Sequence, residues 1–330
     1  MTKLLSPSTS GLKSEQYDSM PLSCSVIIPT YSPHLDTLNT VLDALKGQTL
    51  TKDNWELILI DNATPDATHI QQFDLTWHAN ARSVREEQLG LTYARLRGIR
   101  EACGQLIFFI DDDNKLHRSY LERGVDLFAQ HDNLGAIGGK ALPIFHAPPP
   151  DWIDEFYGYL ALRDLGESEM VSEKLTDPRS LQSYPDYAPI GAGMVLHSDA
   201  AKLYAKMCDK ADNLLTDRCG TQLSSSGDND IILTIMKGGW KVGYSPNLIL
   251  EHLIPDQRLT RKYLAEMAYS TSRSWVEVLI KHDILPWDRI PAWSVPLRKL
   301  RSFFRYKAWQ DAPSYIRWRA SCGLFNSLAL

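Results

Sequence analysis

Leu106-Ile107-Phe108-Phe109-Ile110-Asp111-Asp112-Asp113-Asn114 is the stretch whose reading decides the fold. Five apolar residues in a row describe a strand buried on both faces, the habit of a central strand in a parallel sheet. The run stops in three carboxylates. An extended chain points alternate side chains the same way, so Asp111 and Asp113 can face one spot, with Asp112 turned elsewhere. Like charges so close repel unless something positive sits among them. A hard divalent cation with oxygen ligands meets that need. In open α/β sheets ligands bind beyond the carboxyl ends of strands, which is where this cluster falls. The plain alternative is a solvated acidic turn capping a strand.

Upstream, Cys24-Ser25-Val26-Ile27-Ile28 reads as a buried strand running into the breaker-rich loop Pro29-Thr30-Tyr31-Ser32-Pro33. Apolar residues at 35, 38, 41, 42 and 45 have helical spacing, closed by Gly47. Leu57-Ile58-Leu59-Ile60 is a second buried strand, ending in Asp61-Asn62-Ala63-Thr64. Strand, loop, helix and strand in this order open a parallel α/β sheet. A short strand over 81–85 and a helix over 92–102 carrying Arg95 lead into the acidic strand. Asp61 could accept a hydrogen bond from a ribose or cap its own turn. Tyr31 could stack on a base or pack its loop. A lone helical Arg95 could meet a phosphate or be ion-paired.

Downstream, a helix is predicted over 120–130 and a strand over 135–139. Ala147-Pro148-Pro149-Pro150 then ends the first half of the sheet, since proline cannot join a ladder. The acid- and aromatic-rich segment 151–186 reads as an insertion or flap over the site. Pro189-Ile190-Gly191-Ala192-Gly193-Met194 is a glycine loop entering a strand. Ser224-Ser225-Ser226-Gly227-Asp228-Asn229-Asp230 opens a helix, with one aspartate expected as its cap and the other surplus to capping. Strands over 240–246 and 248–252 and a helix over 260–281 follow. In 286–330, Arg298, Lys299, Arg301, Arg305 and Lys307 intermix with Leu300, Phe303 and Phe304. A helical cap on the domain is the favoured reading there, and peripheral contact with an anionic membrane surface is its alternative.

Composition bounds the answer. The 330 residues are 44% apolar and 23% charged, ordinary for a soluble globular chain. A net charge of −5 gives no reason to expect nucleic-acid binding. The five cysteines have no metal-finger or CxxC spacing, which points to a reduced, cytoplasmic setting. No apolar stretch is long enough for a membrane span, and residues 1–21 read as a loose tail lacking the apolar core of a signal peptide. The GxGxxG and GxxxxGK[ST] phosphate loops and the Gly-x-Ser-x-Gly elbow are absent.

Taken in order, these pieces resemble a family-2 glycosyltransferase with the GT-A fold. The resemblance runs from about 23 to 263. It rests on Ser25-Val26-Ile27-Ile28-Pro29-Thr30-Tyr31, Glu56-Leu57-Ile58-Leu59-Ile60-Asp61-Asn62, and Gly90-Leu91-Thr92-Tyr93-Ala94-Arg95. Ile110-Asp111-Asp112-Asp113-Asn114 looks like the family's DxD motif. Ser226-Gly227-Asp228-Asn229-Asp230, with Gly239-Trp240-Lys241-Val242 behind it, looks like its late acidic motif. The sequence departs from the pattern at Gly227, where Glu is frequent, at Leu96, where Asn is frequent, and in lacking an Asn beside the glycine loop.

The resemblance implies a Rossmann-like, mostly parallel sheet flanked by helices, with a helical C-terminal extension. The tail would cover 1–21, the catalytic domain 22–258 (nucleotide half 22–146, acceptor half with flap 147–258) and the extension 259–330. It also implies an inverting transfer from a nucleotide-sugar donor, UDP first, to a glycan or lipid-linked acceptor, as in polysaccharide biosynthesis. Thr30, Tyr31, Asp61, Arg95, Asp111 and Asp112 would border the nucleotide. Asp113, Asp111 and His252 would hold Mn²⁺ or Mg²⁺. Asp228 would be the base, with Asp230 next in line. Two rivals remain: a non-catalytic sugar- or partner-binding module on the same fold, and a sugar nucleotidyltransferase. The second wants a glycine-rich basic loop, and 29–36 holds no Gly, Lys or Arg.

Overall fold

Strand β1 (Cys24–Thr30) is the spine of the molecule, and all seven of its residues are buried. Its side chains alternate between two cores. Val26 and Ile28 join one, while Ile27 joins the other. Helix α1 (Leu35–Lys46) covers the first face with Leu38, Val41, Leu42 and Leu45. β2 (Trp55–Asn62) repeats the alternation, with Leu57 and Leu59 on the first face and Ile58 and Ile60 on the second. Each such buried side chain contributes roughly 1.5–3 kcal/mol. β3 (Ala81–Glu86) follows, then α2 (Leu91–Glu101) on the second face. The helix sits close: a Cβ on Gly98 would lie 2.5 Å from Ile27 Cγ2, so only glycine fits there.

The computed structural model describes residues 22–172, 180–210, 215, 218 and 225–329. The expected tail 1–21, the part 173–179 of the expected flap, and Ser224 lie outside the described residues.

β4 (Leu106–Phe109), β5 (Asn114–Leu116), α3 (Tyr120–Gln130) and β6 (Leu134–Phe145) continue the chain. Next come β7 (Met170–Val171), β8 (Val195–His197), α4 (Ser198–Asp209), α5 (Gly227–Lys237) and β9 (Lys241–Ile254). The sheet runs β3-β2-β1-β4-β8-β6-β9-β5, with β7 also on β9. β3, β2, β1 and β4 are parallel throughout. β8 then runs antiparallel to both β4 and β6, and β6 pairs parallel with β9, so antiparallel pairs interrupt the parallel order in the second half. The chain builds outward from β1 to β3 and returns to β1's other side with β4. The carboxyl ends of β1 and β4 therefore flank a switch point, the usual seat of a ligand.

Three elements differ from the sequence reading. Ile110 is outside β4, which ends at Phe109, and residues 111–114 form a turn closed by the Asn114 N–H donating to Asp111 O at 3.0 Å. Strand alternation thus stops before the acids, and Asp112 does not turn away from its neighbours. The two strands expected over 240–252 are one, β9. Its register against β6 slips between Gly138/Tyr244 and Lys140/Ile249, and this irregular stretch accommodates Pro246. β6 likewise extends six residues beyond Gly139.

After β9 the chain becomes helical: α6 (Arg261–Lys281), α7 (Val295–Arg305) and α8 (Ala312–Leu328). The Thr260 hydroxyl caps α6 by accepting the Tyr263 N–H. α6 and α8 close a separate core with Ile153, Phe156 and Leu160. No described helix is long and apolar enough to cross a membrane.

Candidate active site

A cleft of about 330 Å³ opens at the switch point. That is within the roughly 300–1,000 Å³ of small-molecule sites. β1 delivers Thr30 and Tyr31, the turn after β4 delivers Asp111, Asp112 and Asp113, α2 delivers Arg95, and β9 delivers His252. Asp228, in the first turn of α5, completes the wall. Of the expected site residues, only Asp61 is absent from this lining. Its carboxylate pairs with Arg85 at 2.6 Å and accepts the Thr64 N–H at 3.1 Å. Asn62 stands at the cleft in its place, holding Gly90 N–H and Gln88 O through its amide.

The three acids have different partners. Asp112 accepts a short hydrogen bond from the Thr30 hydroxyl. Asp111 has the Arg95 guanidinium 3.8 Å away. Arg95 is itself buried over the Phe109 ring, 5.5 Å from its centre, and explains Gly191: a Cβ there would lie 2.7 Å from Arg95 Nη2. Asp113 is the most heavily held. His252 Nε2 stands 3.1 Å from one oxygen and Arg258 Nη1 3.0 Å from the other. Sheet topology brings His252 there, because Asn114 of β5 pairs in register with His252 of β9.

The charges follow the partners. Burial pushes the carboxyls of Asp111 and Asp112 upward, Asp112 to about 7, and the charge of Asp113 adds to both. Arg95 opposes the rise at Asp111, and the Thr30 hydrogen bond opposes it at Asp112. Burial pushes Asp113 up too. There the charge and hydrogen bond of His252, with Arg258 and Arg218, outweigh it and hold the carboxyl well below the usual range. A cluster in which one acid must be raised while another is depressed is short of positive charge.

The donor chemistry fits a hard divalent cation: carboxylates of Asp111 and Asp113 with the imidazole of His252, all turned to one cleft. Among the described residues no three Asp, Glu, His or Cys side chains already converge as a cage, and His252 and Arg258 both pair with Asp113.

Asp228 and Asp230 separate cleanly. Two residues along a helix is about 200° of rotation, so they face opposite ways. Asp228 Oδ2 accepts the Gly191 N–H at 3.0 Å, and Oδ1 accepts the Asn229 N–H at 2.8 Å, which fixes the carboxylate at the cleft wall. Asp230 is fully buried against α6, with Lys281 Nζ and His282 Nε2 each 2.8 Å away. Neither caps α5 at its Ser226 N-cap position, where the backbone has φ of 133°.

Sequence reasoning missed Arg258 and Arg218, both on the cleft wall. Arg258 sits six residues beyond the histidine that was singled out, just past the end of β9. Arg218 offered no local signal; its carbonyl accepts the Leu91 N–H at 2.9 Å, which brings it to α2.

A sequence profile described as "Glycosyl transferase family 2" matches residues 25–194, just over half of the chain. The glycosyltransferase AglE of Haloferax volcanii is 34% identical over 118 residues, 35% of this chain and 38% of that protein. The chain spans half or less of the curated relatives it matches. Among solved structures, Staphylococcus aureus TarS 1–349 in complex with UDP-GlcNAc aligns with a TM-score of 0.51 at 14% identity, covering 91% of each chain. The mannosyltransferase PcManGT of Pyrobaculum calidifontis, in complex with GDP-Man and Mn²⁺, aligns at 0.53 and 15% identity over 94% of this chain and 77% of its own. At such identity the likeness concerns the fold alone, and that fold is the GT-A arrangement expected from the sequence.

Proposed function

The chain belongs to glycosyl transferase family 2, and on that premise we propose that its cleft moves a sugar from a nucleoside diphosphate donor to a hydroxyl of a glycan or lipid-linked acceptor. We take the donor to be a UDP-sugar, the cation to be Mn²⁺ or Mg²⁺, and the transfer to invert the anomeric carbon. The observation that carries this reading is one cleft lined by three acids at a strand end, three guanidiniums and a separately anchored aspartate.

Each residue has a job in that reading. Tyr31, 42% exposed at the mouth, offers its ring to the base. Thr30 and Asp112, tied to each other, border the ribose. Arg95, Arg218 and Arg258 draw in the diphosphate. Asp111, Asp113 and His252 would hold the cation, which when bound offsets the charge developing on the leaving diphosphate. Asp228 receives the acceptor's proton as the hydroxyl oxygen attacks the anomeric carbon. The bond from that carbon to the diphosphate breaks, and its electron pair leaves with the nucleotide. A positioned base of this kind is worth roughly 10²–10⁴-fold in rate. Gly191 and Asn229 hold Asp228 without neutralising it.

Four described cysteines are free, which supports a reducing, cytoplasmic setting. A panel of nucleotide-sugars with Mn²⁺ tests the reading. Slow release of UDP from one UDP-sugar without acceptor is expected. No release from any donor, together with no thermal shift by any nucleotide, would leave a binding module in its place.

A further inference from the structure

Helix α7 has one occupied face and one open face. On the occupied side, Val295 and Ser302 are buried, Phe303 meets Trp318 of α8 edge-on at 5.2 Å, and Trp318 Nε1 donates to the Lys299 carbonyl at 3.1 Å. On the open side stand Trp293, Leu297, Leu300, Phe304 and Trp309, exposed by 75, 61, 55, 60 and 59%. Leu297, Leu300 and Phe304 follow the spacing of three and four that lines one helix stripe. Monomeric proteins rarely leave such a run in water without a use for it.

The charges around this stripe say what covers it. Arg298, Arg301, Arg305 and Lys307 are exposed beside it, and with Lys299 none of them pairs with a described carboxylate. The contrast lies in α8, where Arg317 meets Glu155 and Arg319 meets Glu266. From 289 to 310 the sequence has six Lys or Arg and no Asp or Glu, in a chain of net charge −5. A second copy of this face would bring like charge against like charge. A neutral apolar partner would use the stripe and leave the cations idle. A surface with acyl chains below and negative headgroups around uses both.

We propose that α7 and its flanking tryptophans seat the protein on an anionic lipid surface, with Leu297, Leu300, Phe304, Trp293 and Trp309 entering the headgroup boundary and the Arg and Lys side chains meeting lipid phosphates. This stands apart from the donor chemistry, because vesicle binding involves no turnover. Either reading can fail while the other survives.

The full chain is to be sedimented with phosphatidylcholine vesicles, with and without phosphatidylglycerol. Binding is expected on the anionic vesicles at low salt, and about tenfold less on neutral vesicles or at high salt. The joint change L297S, L300S and F304S, and separately R301E with R305E, should each abolish pelleting while leaving the melting temperature and nucleotide binding intact. Equal pelleting on neutral and anionic vesicles, or none on either, overturns the proposal. So does a concentration-dependent dimer broken by the same changes, which would give the face to a second copy.

Discussion

The cleft at the ends of β1 and β4 and the seam between α5 and α6 both hold buried aspartates, yet they treat them in opposite ways. At the seam, Asp230 has the Lys281 ammonium and the His282 imidazole each at 2.8 Å, and its carboxyl lies below the ordinary range. Burial alone would raise it, and His282 and Lys281 outweigh burial. In the cleft, burial and then the charges of Asp113 and Asp111 push Asp112 up to about 7, against the Thr30 hydroxyl and the more weakly felt Arg258. The seam has its charge balanced within the fold, whereas the cleft acids are less evenly paired, as the proposed cation site requires. A buried acid is therefore not a site by virtue of burial; the missing counter-charge is what marks one.

The sharpest break of this comparison is to exchange the roles on α5. Asp228→Asn should lower transfer by roughly 10²–10⁴-fold while leaving nucleotide binding and stability near wild type. Asp230→Asn should do the reverse, since Lys281 and His282 would be left at the seam facing a neutral amide. Lys281 is partly exposed, so the loss sits at the low end of what breaking a buried pair costs, about 3 kcal/mol. Turnover per folded molecule should hold. Urea unfolding and nucleotide release on the two variants separate these outcomes; full turnover in Asp228→Asn would move the base elsewhere.

Acid gives a gentler version of the same contrast. A carboxyl depressed by folding stabilises above its unfolded value of about 3.9, and that stability is lost as pH falls through the folded value. The contribution of Asp230 should thus be complete near neutrality and fade below about pH 4. Asp230→Asn should flatten that acid limb of the stability profile. An acid limb of unchanged slope would mean that other carboxylates dominate it.

The smallest expected effect has the opposite sign. In metal-free buffer, Asp112→Asn removes a poorly balanced charge while keeping an oxygen for the Thr30 hydroxyl. Its melting midpoint should rise by about 2 °C, the shift of roughly 1 kcal/mol in a chain of this size. A fall would show that the Asp112 charge is already compensated in the fold.

The same contrast explains what could be read from the chain beforehand. The apolar runs of β1, β2 and β4 and the 3.6-residue spacing of α1 carry their own burial, so the parallel half of the sheet was legible. The pairing partners of Asp113 and Asp230 were not. His252 and Arg258 lie more than 130 positions from Asp113, and Lys281 and His282 lie some fifty from Asp230. Asp230 is instructive. It stands across α5 from Ile231, Ile232 and Ile235, where one helix taken alone would leave it in water. α6, packing Val278 and Leu279 on Leu233, covers that side. Pro246 misled in the other direction, because a register slip lets a strand pass through it.

The most direct test is calorimetry of UDP binding to wild type and to Asp113→Ala, each with Mn²⁺ and with chelator. If the acids after β4 clamp a cation that in turn holds the diphosphate, Mn²⁺ should tighten binding to wild type at least tenfold, or about 1.4 kcal/mol, and do nothing for the variant. Equal affinity in both proteins, or no response to Mn²⁺ in either, would contradict the account.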